Sequence, residues 1–474
     1  MDRHNETRRG FLKTGLLAAG GAGLGLAVFY GLREQGKLPG FHSELGPLAP
    51  IRDETTGQPL LMLPQGFRYH SFAWAGERMS DGFIGPASCD GMGVVSAADH
   101  LISLVRNHEL RGSSGAMGDA KTAWDVTGGG TTTMVFDTAR EQLKEVFISL
   151  NGTLNNCAGG VTPWGTWLSC EEAVYTPELA HFGIEPRQRL WVIGNARQAH
   201  GYVFEVGPRG VDEPRPILDM GQFWHEAATV DPQTGFVYMT EDRGPHAGFY
   251  RYIPEIPGNL HAGGKLQMLR VEGLNELTKG IGLFSPAPVD WVDIDEPGRG
   301  HTPGTHDGKG VVSQGLEAGG SAFRALEGCV WHDSQLYFTS KNSGAKRGGY
   351  VFQLDLAQSS LQLIYESPGR GGFSGPDNVN VSPRGNLVIC EDREAGSTRG
   401  QHLAGLNPAG ELFAFCRINP EISGNYAGHN LAHTAAKSEW AGVCFSPDGQ
   451  WMFANIYGPG ISCAITGPWV DGFI

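Results

Sequence analysis

The sequence predicts an all-β protein, and within that class a six-bladed β-propeller with long loop insertions. Glycine accounts for 71 of the 474 residues and proline for 28, which is typical of many short strands joined by tight turns. One pattern also recurs six times along the chain: a turn, a short apolar run and a polar ending. The runs are too short for helices and are rich in residues that favour strands. Repeats of this kind, several tens of residues apart, are typical of propeller blades.

The six copies can be followed by the polar residue at which each one ends. One copy is DPQTGFVYMTED at Asp231–Asp242, and another is SPRGNLVICED at Ser382–Asp392. Several copies are followed by an aromatic-rich segment that begins at glycine, and we interpret these segments as partner strands in the same blade. The copies end at Glu109, Glu171, Glu241, Lys341, Glu391 and Asn455, and the aromatic segments begin at Gly201, Gly248, Gly349 and Gly410.

The interval between Glu241 and Lys341 is longer than the other intervals, which predicts an insertion in this part of the chain. We place it at about 258–306, a segment rich in glycine, proline and aspartate. Residues 39–474 are otherwise expected to form a single propeller domain, because the repeats continue to the C-terminus.

The first 38 residues are predicted to be an export segment. Consecutive Arg8 and Arg9, followed by Phe11-Leu12-Lys13 and a weakly apolar segment, resemble a twin-arginine signal. This predicts a periplasmic or extracellular location, with the twin-arginine translocase as a partner during export. No small-x-small cleavage site follows the apolar segment, so an uncleaved membrane anchor is the alternative.

Charge and motif content restrict the classes of function. The formal net charge of −14 argues against nucleic acid as a partner. The eight cysteines form no CxxC pair, and the chain has no GxSxG elbow and no HExxH spacing. Zinc ribbons, serine hydrolases and zinc proteases are therefore disfavoured. Cys170 and Cys390, each inside an apolar run, are interpreted as small buried hydrophobic residues.

The polar endings of the repeats predict a cation site. Equivalent strand ends of a propeller meet at one mouth of its central channel. Glu109, Glu171 and Glu391 would then crowd together, and like charges a few ångströms apart cannot all stay ionised without a counter-charge. Lys341 ends its copy in the same way and could supply positive charge. The alternative is that each of these residues only satisfies a solvated turn at the end of its blade.

The stretch NCAGGVTPWGTWLSCEE at Asn156–Glu172 concentrates the chemistry. It holds Cys157 in a glycine-rich loop and ends in the adjacent carboxylates Glu171 and Glu172. Carboxylates are hard ligands and a thiolate is a soft one, so the stretch predicts a metal site. Other acidic residues stand beside strand-like runs, where a side chain can reach a site at the rim of a sheet. These are Glu226 in HEA, Glu327 in LEG and Asp377 in PDN.

Together these motifs resemble the PhoX family of bacterial alkaline phosphatases. The resemblance extends from about Leu63 to the C-terminus, and it is carried mainly by the long block at Asn156–Glu172. The leader, NHE at Asn107–Glu109 and the HEA, LEG and PDN motifs agree with it. The resemblance implies a six-bladed propeller that hydrolyses phosphomonoesters at a cluster of calcium and ferric iron in the channel mouth.

Carried over residue by residue, the resemblance implies that Cys157 is an iron ligand. Glu226, Glu327 and Asp377 match acidic metal-binding positions. Glu109, Glu171 and Glu391 are expected to join the same cluster, with a small phosphate ester as the substrate.

This chain departs from the family pattern at one positively charged residue. The family commonly has an Arg two residues before the metal-binding Glu, where this chain has Ala325, and Arg324 stands one residue earlier. We predict Arg324 and Lys341 as the catalytic cations. A shift of one residue on a strand turns a side chain to the opposite face, so Arg324 reaches the substrate only if a bulge re-aims it.

Two other functions fit the same pattern. A calcium-dependent lactonase or organophosphate hydrolase also uses an acidic channel mouth, but it needs no thiolate ligand. A non-catalytic propeller scaffold would use its metals for stability alone. The exported, metal-dependent phosphoesterase is the leading hypothesis, because it accounts for Cys157 as well as for the carboxylates.

Overall fold

The computed structural model describes residues 45–184, 190–279, 281–369, 372–393, 400–470 and 474. The predicted export segment, residues 1–38, lies outside the described residues. Strands dominate the described part of the chain, and none of its helices is both long and apolar enough to cross a membrane. The α-helices are α1 (Pro177–His181), α2 (Leu190–Ile193) and α3 (Gly310–Glu317), and single 3₁₀ turns lie at Gly112–Ser114, Leu218–Met220 and Ala435–Lys437.

The strands are short and follow one another closely along the chain. They are β1 (Ala49–Ile51), β2 (Leu61–Leu63), β3 (Arg68–Phe72), β4 (Cys89–Ala98), β5 (Leu101–His108), β6 (Gly129–Asp137), β7 (Gln142–Thr153), β8 (Asn156–Val161), β9 (Trp167–Glu171), β10 (Val203–Val206), β11 (His225–Val230), β12 (Val237–Glu241), β13 (Phe249–Ile256), β14 (Asn259–Val271), β15 (Ala287–Asp293), β16 (Leu326–His332), β17 (Gln335–Ser340), β18 (Tyr350–Asp355), β19 (Ser360–Glu366), β20 (Pro376–Val381), β21 (Leu387–Glu391), β22 (His402–Leu406), β23 (Leu412–Ile418), β24 (Asn425–Tyr426), β25 (His429–Asn430), β26 (Trp440–Phe445), β27 (Met452–Ile456) and β28 (Ile461–Thr466).

Six of these strands form a closed ring around a central channel. The ring order is β4, β8, β11, β16, β20 and β26, and β26 packs against β4 to close it. Each ring strand is the first strand of an antiparallel sheet, so the ring carries six blades. The prediction of a six-bladed propeller is therefore confirmed. The last blade is completed by β3, which precedes the first blade in sequence and pairs with β28.

The remaining sheets differ in width. In the described part of the chain the second blade consists of β8, β9 and β10, whereas the fifth is widened by β2 and β1. The third and fourth blades join edge to edge through β15 and β19, so together they form one nine-stranded sheet. Strands β24 and β25 pair separately as a small hairpin.

Small residues allow the ring strands to approach one another closely. A Cβ atom on Gly91 would lie 2.5 Å from the Cα of Ala158 on the neighbouring ring strand. A Cβ on Gly328 would lie 2.6 Å from the backbone nitrogen of Val379, which is also on the next strand of the ring. Any larger residue at these positions would push the blades apart. The ring encloses a cavity of 530 Å³, lined largely by glycine, alanine and valine.

The faces between neighbouring blades supply the hydrophobic core. Phe249 of the third blade stacks on Phe338 of the fourth, with ring centroids 4.3 Å apart. Leu168 and Met239 join the second blade to the third, and both are fully buried. Aromatic and aliphatic packing between flat sheet faces therefore holds the blades in place.

The repeats identified in the sequence are the second strand of each blade, not the ring strand. They correspond to β5, β9, β12, β17, β21 and β27. The aromatic segments at Gly201, Gly248 and Gly349 precede or begin third strands, whereas the segment at Gly410 leads into β23, a fourth strand. The predicted insertion at 258–306 contains β14 and β15, which extend the third blade outward. The loop after β15 then leads into α3.

Candidate active site

Each ring strand carries a β-bulge close to its beginning. In five of the six, the strand register shifts across a pair of residues whose first member bears a carboxylate or a thiol. In the sixth, β26, the bulge falls after Ala441, at Gly442 and Val443. A bulge sets two residues against one on the partner strand and redirects a side chain. The five bulge residues are Asp90, Cys157, Glu226, Glu327 and Asp377.

A second set of side chains follows the last residue of the second strand in five of the six blades. The two sets meet at the same end of the channel: Cys157, Glu172 and Glu226 place ligand atoms within 4.8 Å of one another, as do Glu226, Glu327 and Asp377. Glu226 belongs to both groups. The second set consists of Glu109, Glu172, Asp242, Lys341 and Asp392.

Glu171 and Glu391, which we expected to join the cluster, are used inside their own blades. The Glu171 carboxylate accepts hydrogen bonds from the backbone amides of Leu154, Gly201 and Tyr202 at 2.8, 2.8 and 3.1 Å. It also lies 2.7 Å from Nδ1 of His200. These contacts occupy both of its oxygens.

Glu391 is placed in the same way. It contacts the Arg393 side chain, the backbone amide of Ser374, and both the backbone amide and the ring Nδ1 of His402. Because side chains alternate along a strand, the residue after each of these glutamates takes the channel position. Glu172 and Asp392 therefore stand where the sequence analysis expected Glu171 and Glu391.

Cys157 lies at the centre of the carboxylate groups. Its Sγ is 3.0 Å from Oε1 of Glu226 and 3.5 Å from Oδ2 of Asp90. Burial raises the pKa of the Cys157 thiol well above its usual value, and the carboxylates of Asp90 and Glu226 raise it further. Without a cation the thiol therefore stays protonated and donates to a carboxylate. A metal ion would have to displace that proton.

The electrostatics of the cluster are dominated by negative charge. Burial raises the pKa of Glu226 well above its usual value, and the neighbouring Glu327 carboxylate adds to the effect. Burial likewise raises the pKa of Asp377 to about 7, although Lys341 opposes this shift. The nine carboxyl groups of the cluster are Asp90, Glu109, Glu172, Glu226, Asp242, Glu327, Asp377, Asp392 and Glu439.

Lys341 places its ammonium among these carboxylates. Its Nζ pairs with Asp392 and lies 3.8 Å from Oδ2 of Asp377. One ammonium cannot neutralise nine carboxyl groups. Arg324 is placed differently: it is half-buried, and its backbone carbonyl accepts a hydrogen bond of 2.6 Å from the Ser340 hydroxyl. Within the described residues, its side chain makes no hydrogen bond or ion pair with the cluster.

Two oxygen atoms indicate that the cluster suits a cation. Oε2 of Glu226 and Oε1 of Glu327 are buried and have no hydrogen-bond donor among the described residues. The two residues are only 1% and 2% exposed. Leaving a buried acceptor without a partner costs about 1–3 kcal/mol, and more for a charged group. Metal ions would satisfy these oxygens, and hard carboxylates together with one soft thiol can hold them.

The comparisons with known proteins identify the family of this chain. The family model for the alkaline phosphatase PhoX matches residues 44–144 and 118–460. The chain belongs to the PhoX family. As a PhoX-type alkaline phosphatase it is a phosphoesterase, a hydrolase of phosphomonoesters. The family is one of metal-dependent phosphatases, and the acidic groups described above can hold a metal.

One solved structure shows the same fold. The chain is similar to PhoX of Pseudomonas fluorescens in complex with vanadate, a transition-state analogue, with a TM-score of 0.62 and 17% identity over 90% of this chain and 98% of that one. It is more distantly similar to a gluconolactonase from Xanthomonas campestris, with a TM-score of 0.42 and 11% identity over 91% and 98% of the two chains. A search of curated proteins found no match.

Four of the cluster carboxylates were not singled out from the sequence. Asp242 and Asp392 follow the glutamates that were chosen, so choosing the second residue of each acidic pair would have found them. Asp90 is followed by glycine, as is Glu327, and this acidic-Gly pair marks the bulge in both strands. Glu439 stands directly before β26, and no pattern in the sequence distinguishes it from a surface residue.

Proposed function

We propose that this PhoX-family chain is an exported phosphatase whose channel-mouth cluster holds calcium and ferric iron. The observation that carries this proposal is the pair of unpartnered, buried oxygens on Glu226 and Glu327 beside the thiol of Cys157. Cys157 and Glu226 are the residues suited to iron, because a thiolate is a soft ligand. The remaining carboxylates are suited to calcium.

The protein groups that would hold the ions come from both sets of side chains. Glu226 belongs to two possible metal groups, so its carboxylate would contribute to holding an ion in either group. Glu109 is held by Asn155, which also donates to Glu172 at 3.0 Å, so one amide orients two carboxylates. Glu171 and Glu391 support the site through the backbone of their blades rather than as ligands.

Bound cations would neutralise the oxygens of the phosphoryl group, which is the chemistry that phosphate transfer requires. We propose that Lys341 adds a fixed positive charge at the edge of the substrate site, since its side chain is 33% exposed and its ammonium faces Asp377 and Asp392. Arg324 could contribute only after a change in its side-chain conformation. The backbone does leave the extended conformation here, because Ala325 has a φ of 41°.

The experiment measures metal content by mass spectrometry together with turnover of p-nitrophenyl phosphate, with and without added calcium. The purified wild-type protein should contain iron and calcium and should hydrolyse the ester. Cys157→Ser should lose iron and lower turnover at least about tenfold, because a hydroxyl is a much weaker ligand for ferric iron than a thiolate.

Cys329→Ser is the matched control. Cys329 lies on a ring strand, is 7% exposed and lines the central cavity, but it belongs to neither possible metal group among the described residues, so the variant should keep both iron and turnover. Calcium alone in the wild type, unaffected by Cys157→Ser, would refute the iron–thiolate site. Metal-dependent melting without turnover of any phosphate ester would favour a scaffold.

We further propose that residues 1–38 direct the protein through the twin-arginine pathway. Replacing Arg8 and Arg9 together by Lys should leave the protein in the cytoplasm, because that pathway depends on the paired arginines. Fractionation of cells expressing the wild type and the double variant tests this. Recovery of the wild type in the membrane fraction would indicate that the segment also serves as an anchor.

A further inference from the structure

Beside the carboxylate cluster, three nitrogen donors are buried and have no acceptor. They are Nε1 of Trp224, Nε of Arg243 and Nε2 of His301, each without a partner among the described residues. In His301 the other ring nitrogen, Nδ1, accepts the backbone N–H of Gly308 at 3.0 Å. A neutral imidazole with an accepting Nδ1 carries its proton on Nε2. All three groups are therefore donors.

The donors adjoin the cluster through the backbone. Arg243 directly follows Asp242, and the Asp242 amide donates to the carbonyl of Trp224 at 3.1 Å. The Arg243 guanidinium lies over the Trp224 ring, 5.5 Å from its centroid. The Arg243 carbonyl also accepts the amide of Ala325 at 2.9 Å, and the Ala325 carbonyl accepts the amide of Lys341. The two cations thus flank the same backbone segment.

The loop between β15 and α3 holds the donors in position. Arg243 donates through Nη2 to the carbonyl of Asp307. The Asp307 carboxylate in turn accepts the amides of Thr302 and Lys309, each at 3.0 Å. Gly308 lies against the donors: a Cβ there would be 2.7 Å from Trp224 Nε1 and 3.1 Å from Arg243 Nη1. The loop is therefore closed over the donors and fixed internally.

Donors without acceptors indicate a missing anion. A buried N–H without a partner costs free energy, and a guanidinium fits a carboxylate or phosphate better than any other group. Arg243 carries such a guanidinium, and it directly follows the cluster residue Asp242.

We propose that Trp224, Arg243 and His301 form an accessory anion subsite that holds a second anionic group of the substrate. Resting on the proposed phosphatase function, this names the substrate class: phosphate monoesters that carry a carboxylate or a second phosphate near the ester. The subsite and Lys341 act on different parts of such a molecule, because the Lys341 ammonium faces Asp377 and Asp392, whereas the Arg243 guanidinium lies over Trp224 and donates to the carbonyl of Asp307.

The test compares 3-phosphoglycerate with glycerol 3-phosphate, which differ only in a carboxylate in place of a hydroxymethyl group. The wild type should have a lower KM for 3-phosphoglycerate, by about tenfold, as expected for a charge-assisted contact. Arg243→Gln should reduce that ratio to near one. Trp224→Phe removes a single neutral donor and should reduce the ratio about threefold. Because the ratio is taken within one variant, a general loss of activity cancels.

Lys309→Gln is the matched control, since it removes a positive charge from the same loop at an exposed position and should leave the ratio unchanged. The subsite would be overturned if the wild type showed no preference between the two esters. It would also be overturned if Arg243→Gln kept the same KM ratio as the wild type. Turnover of p-nitrophenyl phosphate tests the phosphatase function separately. If that turnover is absent, the Kd values of the two esters, measured by calorimetry, give the same comparison and the same two overturning results.

Discussion

The channel mouth contains two adjacent regions that lack opposite kinds of hydrogen-bond partner. Among the described residues, Glu226 and Glu327 of the carboxylate cluster carry acceptors without a partner, whereas Trp224, Arg243 and His301 beside it carry donors without a partner. Buried polar atoms without a protein partner are normally satisfied by a ligand or by ordered water. The first region should therefore bind cations and the second an anion. A substrate that carries two anionic groups would use both.

Glu226→Gln should have the largest effect on the first region. The glutamate is shared by both possible metal groups, so an uncharged side chain should remove metal from the cluster and lower kcat/KM at least about a hundredfold. Metal content and p-nitrophenyl phosphate kinetics measure this. Glu317→Gln, at an exposed position on α3, is the control for the loss of one carboxylate. Retained calcium and iron in Glu226→Gln would contradict this role of Glu226.

The adjacent pair Glu171 and Glu172 separates a structural carboxylate from a ligand. Glu171→Gln would set an amide donor against backbone donors in a fully buried site, and it should lower the free energy of unfolding by about 3–5 kcal/mol.

Glu172→Gln should instead leave the metal-free protein no less stable. Burial raises the pKa of Glu172 well above its usual value, and the Asp242 carboxylate adds to this, so the group gains little from its charge. Its loss should show as weaker calcium stabilisation. Urea unfolding with and without a chelator measures both variants, and equal losses of stability in the chelated state would refute the distinction.

A third buried charged group, around His200, has its donors and acceptors in balance. Its Nδ1 lies 2.7 Å from Glu171 and its Nε2 lies 3.2 Å from Asp125. Burial lowers the pKa of His200, but the Glu171 carboxylate and the contacts to Asp125 outweigh it and raise the pKa to about 9. A group that is satisfied internally needs no ligand. Its effect on stability should therefore depend on pH and not on metal.

Because the folded pKa of His200 lies above the unfolded value of about 6.5, its contribution is complete below that pH and is lost as the pH rises through 9. The contribution is on the order of 3 kcal/mol. The urea concentration at the midpoint of unfolding should fall more steeply with rising pH, between pH 6 and pH 10, for the wild type than for His200→Asn. The same slope in both proteins would exclude His200 as the source.

The sequence predicted the fold well because a propeller repeats. Each second strand carries a turn, an apolar run and a polar ending, and six such copies are visible without any contact information. The bulges were not predictable in the same way, since a bulge is a relation between two strands, not a property of one. The choice between Glu171 and Glu172 at the end of β9 was not predictable either, although the two are adjacent. The direction of a side chain at a strand end depends on register.

The region of unpartnered donors was even harder to predict from the sequence. Trp224, Arg243 and His301 come from two strand ends and an insertion, and no spacing in the sequence relates them. The departure at Ala325 did point to this place, because the structure sets Arg243 and Lys341 on either side of that residue. A missing cation in a motif is thus informative about where to look, but it does not say which residue of a neighbouring blade stands there.

The smallest expected effect, and the sharpest test of the donor region, is that of Gly308→Ala. Gly308 has a φ of 61°, which an L-residue adopts only at a cost, and the added methyl group would meet Trp224 Nε1 at 2.7 Å. Gly304→Ala is the matched control, because Gly304 has a φ of 74° in the same loop but nothing within 4 Å of a Cβ. Both variants should lose about 1 kcal/mol of unfolding free energy to backbone strain. The additional contact in Gly308→Ala should raise the loss to about 2–3 kcal/mol and abolish the preference for 3-phosphoglycerate, because the donors are displaced.

Calcium and iron content should be unchanged in both, since the loop supplies no ligand to the cluster. If Gly308→Ala kept the preference, the loop would be only a cover, and the donors beside the cluster would have to be satisfied by water.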